Sequence, residues 1–363
     1  MLETIAKAEG KAAEGKAAED EEAVEAVESE TAEAQTDHTL LGYSMRRFLT
    51  RSAPSACSAS FSSALTALTA LTALTALSAC REKPRPPREF DGTSAFGYIE
   101  TQMSFGPRVP GSEAHRRMGD WLDSLLRQRA DSLVVQSWRH VTARGDTLPL
   151  RNFIARFNPS AEKRLLLLAH WDSRPVSDSP RSREPAKPVP GANDGASGVA
   201  LLLGVADVLK RTPPVVGVDL LFVDGEDYGD FTKTPGDVLI GSRHYGANQL
   251  PGPKPLYAVL FDLVADKDLQ LYQEGNSLIG APEVVELVWD TAKDLGYGGY
   301  FIASPRHTLI DDHIELQKAG IRAIDVVDFD YPAWHTPDDT IDKVSAASLQ
   351  VVGDVAMALI RRE

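Results

Sequence analysis

Cysteine is nearly missing from this 363-residue chain: Cys57 and Cys80 are the only two, and none follows residue 80. Whatever folds beyond that point has no internal disulfide, no thiol nucleophile and no thiolate metal ligand. Positive charge is also short. Lys and Arg number 38 against 52 Asp and Glu, a net charge of −14, which argues against a nucleic-acid partner. Long apolar runs are absent too, since the Ala-Leu-Thr repeat from Ala64 to Leu77 is too short and too rich in Thr for a transmembrane helix. Residues 1–44 have Tyr43 as their only aromatic, beside twelve acidic and three basic side chains. That Ala/Glu-rich opening cannot bury enough surface to fold alone, so it reads as disorder, a solvated helix, or an extension ahead of a true start at Met45.

The next segment changes character. Met45-Arg46-Arg47 supplies a basic start, an apolar stretch follows, and small residues lead to Leu77-Ser78-Ala79-Cys80. That order predicts an export signal over 45–80. Its end resembles a bacterial lipobox, in which the Cys is lipidated and becomes the mature N-terminus. Residues 81–94 read as a Pro-rich charged tether, and 95–363 as one catalytic domain. The expected location is outside the cytoplasm, with the protein lipid-anchored to the bacterial cell envelope through Cys80, periplasmic or on the outer face.

Within that domain the sharpest stretch is Val218-Asp219-Leu220-Leu221-Phe222-Val223-Asp224-Gly225-Glu226-Asp227. An apolar run ends in three carboxylates, as a buried strand would if it opened into either an acidic turn or a site. Other runs end the same way. Leu165–Ala169 leads into His170-Trp171-Asp172, Tyr257–Asp262 closes on a carboxylate, and Ile321–Val327 is followed by Tyr331-Pro332-Ala333-Trp334-His335. Helices are predicted over 94–103, from Ser112 to Leu126, 199–210, 281–295 and 345–361, with a helical turn opening at Asp311. Leu133–Val141 and Leu148–Phe157 read as a hairpin around Arg144-Gly145-Asp146. The loops 177–190 and 227–238 are long enough to line a site. Strands alternating with helices imply a three-layer α/β/α fold with a mixed, mostly parallel central sheet.

In such a sheet ligands bind outside the carboxyl ends of the strands, where this chain places its polar clusters. Singly, each has an ordinary explanation. Asp194 before a helix reads as a cap, and a His after a strand as a surface residue. Together they bring two imidazoles and several carboxylates to one rim, the N/O donor set that zinc prefers and hard cations such as Ca²⁺ or Mg²⁺ do not.

His170-Trp171-Asp172, Asn193-Asp194-Gly195, Asp224-Gly225-Glu226-Asp227, Asp262 and Trp334-His335-Thr336, in this order, resemble the zinc aminopeptidase and glutaminyl cyclase family (metallopeptidase clan MH). The likeness spans roughly residues 95–360. It implies a zinc site with Asp194, Asp227 and His335 as ligands, Asp194 being able to bridge two ions. His170 and Asp262 become second-metal ligands or hydrogen-bonding residues, Glu226 the general acid/base, and Asp172 the residue that orients His170. Position 227 is usually Glu in the family, and Asp is one methylene shorter.

Two activities share this ligand order, and charge counting leaves one or two zinc ions per chain open. Glutaminyl-peptide cyclotransferases turn an N-terminal Gln into pyroglutamate with release of ammonia, whereas di-zinc aminopeptidases hydrolyse the first peptide bond. Substrates are peptides or proteins with a free N-terminus in either case. The stretches Gly241-Ser242-Arg243-His244 and Asp311-Asp312-His313-Ile314 resemble the cyclases, with Asp311 near the substrate amide. Trp334 and Tyr331 resemble their aromatic pocket wall. The family's Trp in the loop after the acidic pair is missing here, where the loop offers Tyr228 and Phe231. The cyclase is the leading expectation and the aminopeptidase the alternative.

Overall fold

The computed structural model describes residues 88–363. The expected acidic extension, the export signal with Cys57 and Cys80, and tether residues 81–87 lie outside the described residues.

Alternation along the strands divides the core in two, because successive side chains face opposite sides of a sheet. In β3 (Arg164–His170) and β4 (Gly217–Val223) every residue is buried. Leu165, Leu167 and Ala169 join one apolar cluster with Val218, Leu220 and Phe222, while Leu166, Leu168, Leu221 and Val223 join another. Helices must therefore cover both faces. On the first lie α1 (Gly92–Ser104), α2 (Glu113–Arg129), α3 (Ala196–Arg211) and, after the strands named below, α6 (Pro282–Asp294) and α8 (Ala346–Arg362). On the second, α4 (Ile240–Ala247) and α7 (Asp312–Lys318) contribute Tyr245 and Leu316. Each large aliphatic buried this way contributes about 1.5–3 kcal/mol of transfer free energy.

The sheet adds β1 (Ser132–Val141), β2 (Thr147–Phe157), β5 (Ala258–Asp262) and β8 (Ala323–Val327), in the order β1-β2-β4-β3-β5-β8. The β1–β2 and β2–β4 pairs are antiparallel, and β4–β3, β3–β5 and β5–β8 are parallel. This is the expected mixed α/β/α sandwich. Four parallel strands point their carboxyl ends to one edge, the edge expected to carry the polar clusters. A polar residue also sits inside β4. Asp219 is buried and receives Arg164 (Nε and Nη2, both 2.8 Å) and Arg156 (Nε, 3.0 Å).

Three differences from the sequence expectation have plain causes. The tether ends before residue 94, because Phe90 is buried and Asp91 caps α1, accepting from the Thr93 and Ser94 amides. A second sheet, β6 (Leu271–Gln273) with β7 (Phe301–Pro305), and the short helix α5 (Gly275–Gly280) were not anticipated. β6 has only three residues, and β7 is exposed over its last three, so neither shows an apolar run. Helix α4 was also missed, being eight residues long with two glycines. No helix among the described residues is long and apolar enough to cross a membrane.

Candidate metal centre

Topology assembles the centre. His170 and Asp262 are the last residues of β3 and β5, Asp194 precedes α3, and Glu226 and Asp227 follow β4. His335 lies in the segment after β8, with a left-handed backbone (φ 53°) that a non-glycine residue seldom adopts. Two groups of ligand-type atoms result, one from His170, Asp194 and Asp262 and the other from Asp194, Asp227 and His335, each with all its atoms within 4.8 Å. Asp194 joins them. Its Oδ1 is 3.2 Å from His170 Nε2 and its Oδ2 is 3.6 Å from His335 Nε2. His335 Nε2 is 3.3 Å from Asp227 Oδ1, and His170 Nε2 is 3.2 Å from Asp262 Oδ1.

Packing leaves little choice at two glycines. A Cβ on Gly195 would stand 2.5 Å from both the carbonyl oxygen and the Nε2 of His170, so a side chain there would displace the imidazole. Gly225 has φ +73° in the turn that delivers Glu226 and Asp227. That turn is fixed by Asp172, which is fully buried and accepts from the backbone amides of Glu226 (3.1 Å) and Asp227 (3.2 Å). Asp172 was expected to orient His170. Its Oδ1 is 3.6 Å from His170 Nδ1, beyond a hydrogen bond, so its main work is on the backbone of the acidic pair. Asp224 also faces away, accepting from the Arg151 amide (2.7 Å) and contacting His115 Nε2 (2.8 Å).

Several supporting residues escaped the sequence reading. Asp178 Oδ1 lies 3.0 Å from His335 Nδ1. Arg174 donates to both oxygens of Asp178 (2.8 and 2.6 Å) and to Asp227 Oδ1 (2.8 Å). Asp339 accepts from the amides of Asn193 (2.9 Å) and Asp194 (3.1 Å) and from the Tyr331 hydroxyl (2.7 Å). Tyr331 is thereby corrected: expected in the pocket wall, it is buried behind Asp339 instead. The one available signal was loop length, because Asp178 lies in the 177–190 loop and Arg174 just before it.

Burial and crowding set the protonation. Burial, then the neighbouring charge of Asp227, drives Glu226 well above the usual carboxylate range. The same two causes push Asp194 up to about 7. Burial also raises Asp227, but His335 and Arg174 outweigh it and hold this carboxyl well below its ordinary value. For His335 burial opposes the charged form, yet Asp227 and Asp178 prevail and push it up to about 9. Asp311 is raised to about 6, first by burial and then by Asp262. A cluster that holds protons on imidazoles among buried carboxylates is one from which a divalent cation displaces them.

The donors fit zinc. Asp194 Oδ2 and Asp227 Oδ2 are buried without any hydrogen-bond partner, which is costly unless something else satisfies them. Asp227 belongs to the Asp194–Asp227–His335 group alone, and Asp194 to both groups. In the other group, His170 Nε2 is within hydrogen-bonding reach of Asp262.

A cavity of about 350 Å³ opens over these residues. Asp194, Glu226, Asp227, Asp262, Asp311, His335 and Thr308 supply its polar lining, and Phe231, Leu309, Phe329 and Trp334 most of its apolar wall. Trp334 stacks on His335 (centroids 3.8 Å apart) and against Phe329 (4.8 Å).

Residues 152–360 match Peptidase family M28. A glutaminyl-peptide cyclotransferase of Drosophila melanogaster is 25% identical over 268 residues, covering 67% of this chain and 73% of the relative. The crystal structure of Tannerella forsythia glutaminyl cyclase is 36% identical with a TM-score of 0.72, covering 76% of this chain and 99% of that one. A Zn-dependent exopeptidase from Parabacteroides distasonis has the same coverage and TM-score at 35% identity.

Proposed function

The chain belongs to Peptidase family M28, and from that premise we propose that it is a zinc-dependent glutaminyl-peptide cyclotransferase, converting an N-terminal Gln to pyroglutamate with release of ammonia. Asp194, Asp227 and His335 would hold one zinc ion. When bound there, zinc supplies Lewis acidity toward a carbonyl oxygen. The observation that carries the one-ion reading is the asymmetry between the two groups. Asp227 Oδ2, buried and unpartnered, belongs to this group alone, whereas in the other group His170 Nε2 and Asp262 Oδ1 are paired at 3.2 Å; Asp194 is common to both.

The protein's own residues do the rest. The α-amine of the substrate attacks the carbonyl carbon of its glutamine amide, the new C–N bond closes a five-membered ring, and the bond from that carbon to the amide nitrogen breaks. Glu226 accepts the proton from the amine and passes it to the departing nitrogen, which leaves as ammonia. Burial and the neighbouring Asp227 charge raise its pKa, which favours its taking the proton from the amine. Asp311, at the start of α7 and in the cavity lining, accepts from the substrate amide and steadies the leaving group. Phe329 and Trp334 keep the glutamine folded toward its amine and limit competing water. Tethering the nucleophile supplies the advantage that an intermolecular attack lacks.

A di-zinc aminopeptidase is the second reading, favoured by the His170–Asp194–Asp262 group and by likeness to the exopeptidase. Incubation with glutaminyl peptides and with amino-acid anilides separates the two. Pyroglutamate and ammonia with one tightly held zinc per protein molecule support the cyclase; released arylamine without pyroglutamate, with two zincs, sinks it. The basic-apolar-small order of 45–80 and the Leu77–Cys80 motif support export and lipid anchoring. Cys80→Ser should abolish incorporation of a labelled lipid precursor.

A further inference from the structure

One wall of the cavity has no regular structure of its own. Thr308, Leu309, Ile310 and Asp311 line the cavity and belong to the stretch between β7 and α7. Glu274, which follows β6, is 1% exposed and is not among the lining residues. Its Oε1 accepts from the backbone amides of Asn276 and Leu309, both at 2.8 Å. Its Oε2 accepts from the amide (2.6 Å) and hydroxyl (2.7 Å) of Ser277, and His313 Nε2 lies 3.2 Å away. Alongside, the Gly275 amide donates to the His307 carbonyl (3.0 Å) and the Asn276 side-chain amide to the Leu309 carbonyl (2.7 Å). Both backbone polar groups of Leu309 are thus held by residues 274 and 276.

The plainer account is that Glu274 caps α5. A cap needs only the bonds to Asn276 and Ser277, which a Ser or Asp provides. Holding Leu309, 35 residues further on, with His313 of α7 close by, is outside that role. Burial disfavours the Glu274 anion, but His313 and the Leu309, Asn276 and Ser277 donors outweigh it and keep its pKa at about 2. It is a buried anion with four donated hydrogen bonds, the kind of centre that fixes geometry strongly.

We infer that Glu274 is a positioning residue for the reaction: by holding Leu309 it fixes the wall that carries Asp311, and so sets how substrate sits against Glu226. The kinetic half of this inference rests on the cyclase reading; the structural half does not. In the zinc-loaded full-length protein, Glu274→Gln keeps one acceptor oxygen but loses the other. The expected result is a KM for a glutaminyl dipeptide raised on the order of tenfold, with a smaller change in kcat per zinc-loaded site. The Leu309 amide should exchange with solvent about tenfold faster or more, while β5 amides keep their wild-type rates.

Asn276→Ala frees only the Leu309 carbonyl. It should shift both readouts less and in the same direction, and it serves as the test if Glu274→Gln does not fold. A lowered Tm with KM and Leu309 exchange both unchanged would make Glu274 a plain helix cap and overturn the inference. If the wild-type protein cyclises no glutaminyl peptide, the proposed activity fails, and the exchange comparison still decides whether Glu274 holds the wall.

Discussion

Asp178→Asn replaces one oxygen by an amide nitrogen and removes the charge behind His335. The Asp178 carboxylate lies 3.0 Å from His335 Nδ1, and Arg174 bridges it to Asp227. This leaves His335 Nε2 facing Asp194 and Asp227. An Asn carbonyl can still accept from Nδ1–H, so the ring keeps its orientation. What goes is the negative charge that makes the imidazole a stronger donor. Partners of this kind change metal affinity by about 10–100-fold. The Asp178 side chain is 39% exposed, so water screens part of its field, and the lower end applies: about tenfold, or about 1.4 kcal/mol. Competition between zinc and a chelator near neutral pH measures this directly, with the Tm of the metal-free protein as a control for folding. Unchanged affinity at unchanged Tm would refute the claim that the Asp178 charge supports His335.

Three other outcomes follow from the geometry. Glu226→Gln cannot shuttle a proton and should lower turnover by about 10²–10⁴-fold while metal analysis finds its zinc retained; full turnover would remove Glu226 from the mechanism. Asp219→Ala strands the buried Arg164 guanidinium, whose side chain is 3% exposed, and should cost about 3–5 kcal/mol in denaturant titration; a loss below about 1 kcal/mol would mean that water or another group replaces the carboxylate. The Glu274 pKa falls from 4.5 to about 2 on folding. A depressed carboxyl contributes stability that is present above its unfolded pKa and lost as pH falls through its folded one. The Tm gap between wild type and Glu274→Gln should therefore narrow between pH 4.5 and about 2, and a constant gap would count against the charged cap.

Much of the fold could be read in advance because its signals are local. The unbroken apolar runs of β3 and β4 are buried on both faces, so they announce themselves without alternation. Most of the candidate metal-site residues have a related signal: His170, Glu226, Asp227 and Asp262 stand at or just beyond the end of such a run, whereas Asp194 opens a helix, and only a sheet with parallel strands brings them together. The second sheet, α4 and α5 were not legible, since they are short and owe their form to neighbours. Tyr331 was misread for the same reason. Its sequence position beside Trp334 says nothing about direction, and the turn after β8 sends Trp334 into the cavity and Tyr331 behind it.

The sequence by itself determined the ligand types, their order and the strand ends that present them, because those follow from residue chemistry and hydrophobic runs. Only the tertiary structure decided which ligand atoms converge, that Asp194 is shared, and that Asp172 and Asp178 serve the backbone of the acidic pair and His335. Those contacts join residues far apart in sequence or depend on a turn, and their distances are set by how strands and loops pack, which no local pattern records.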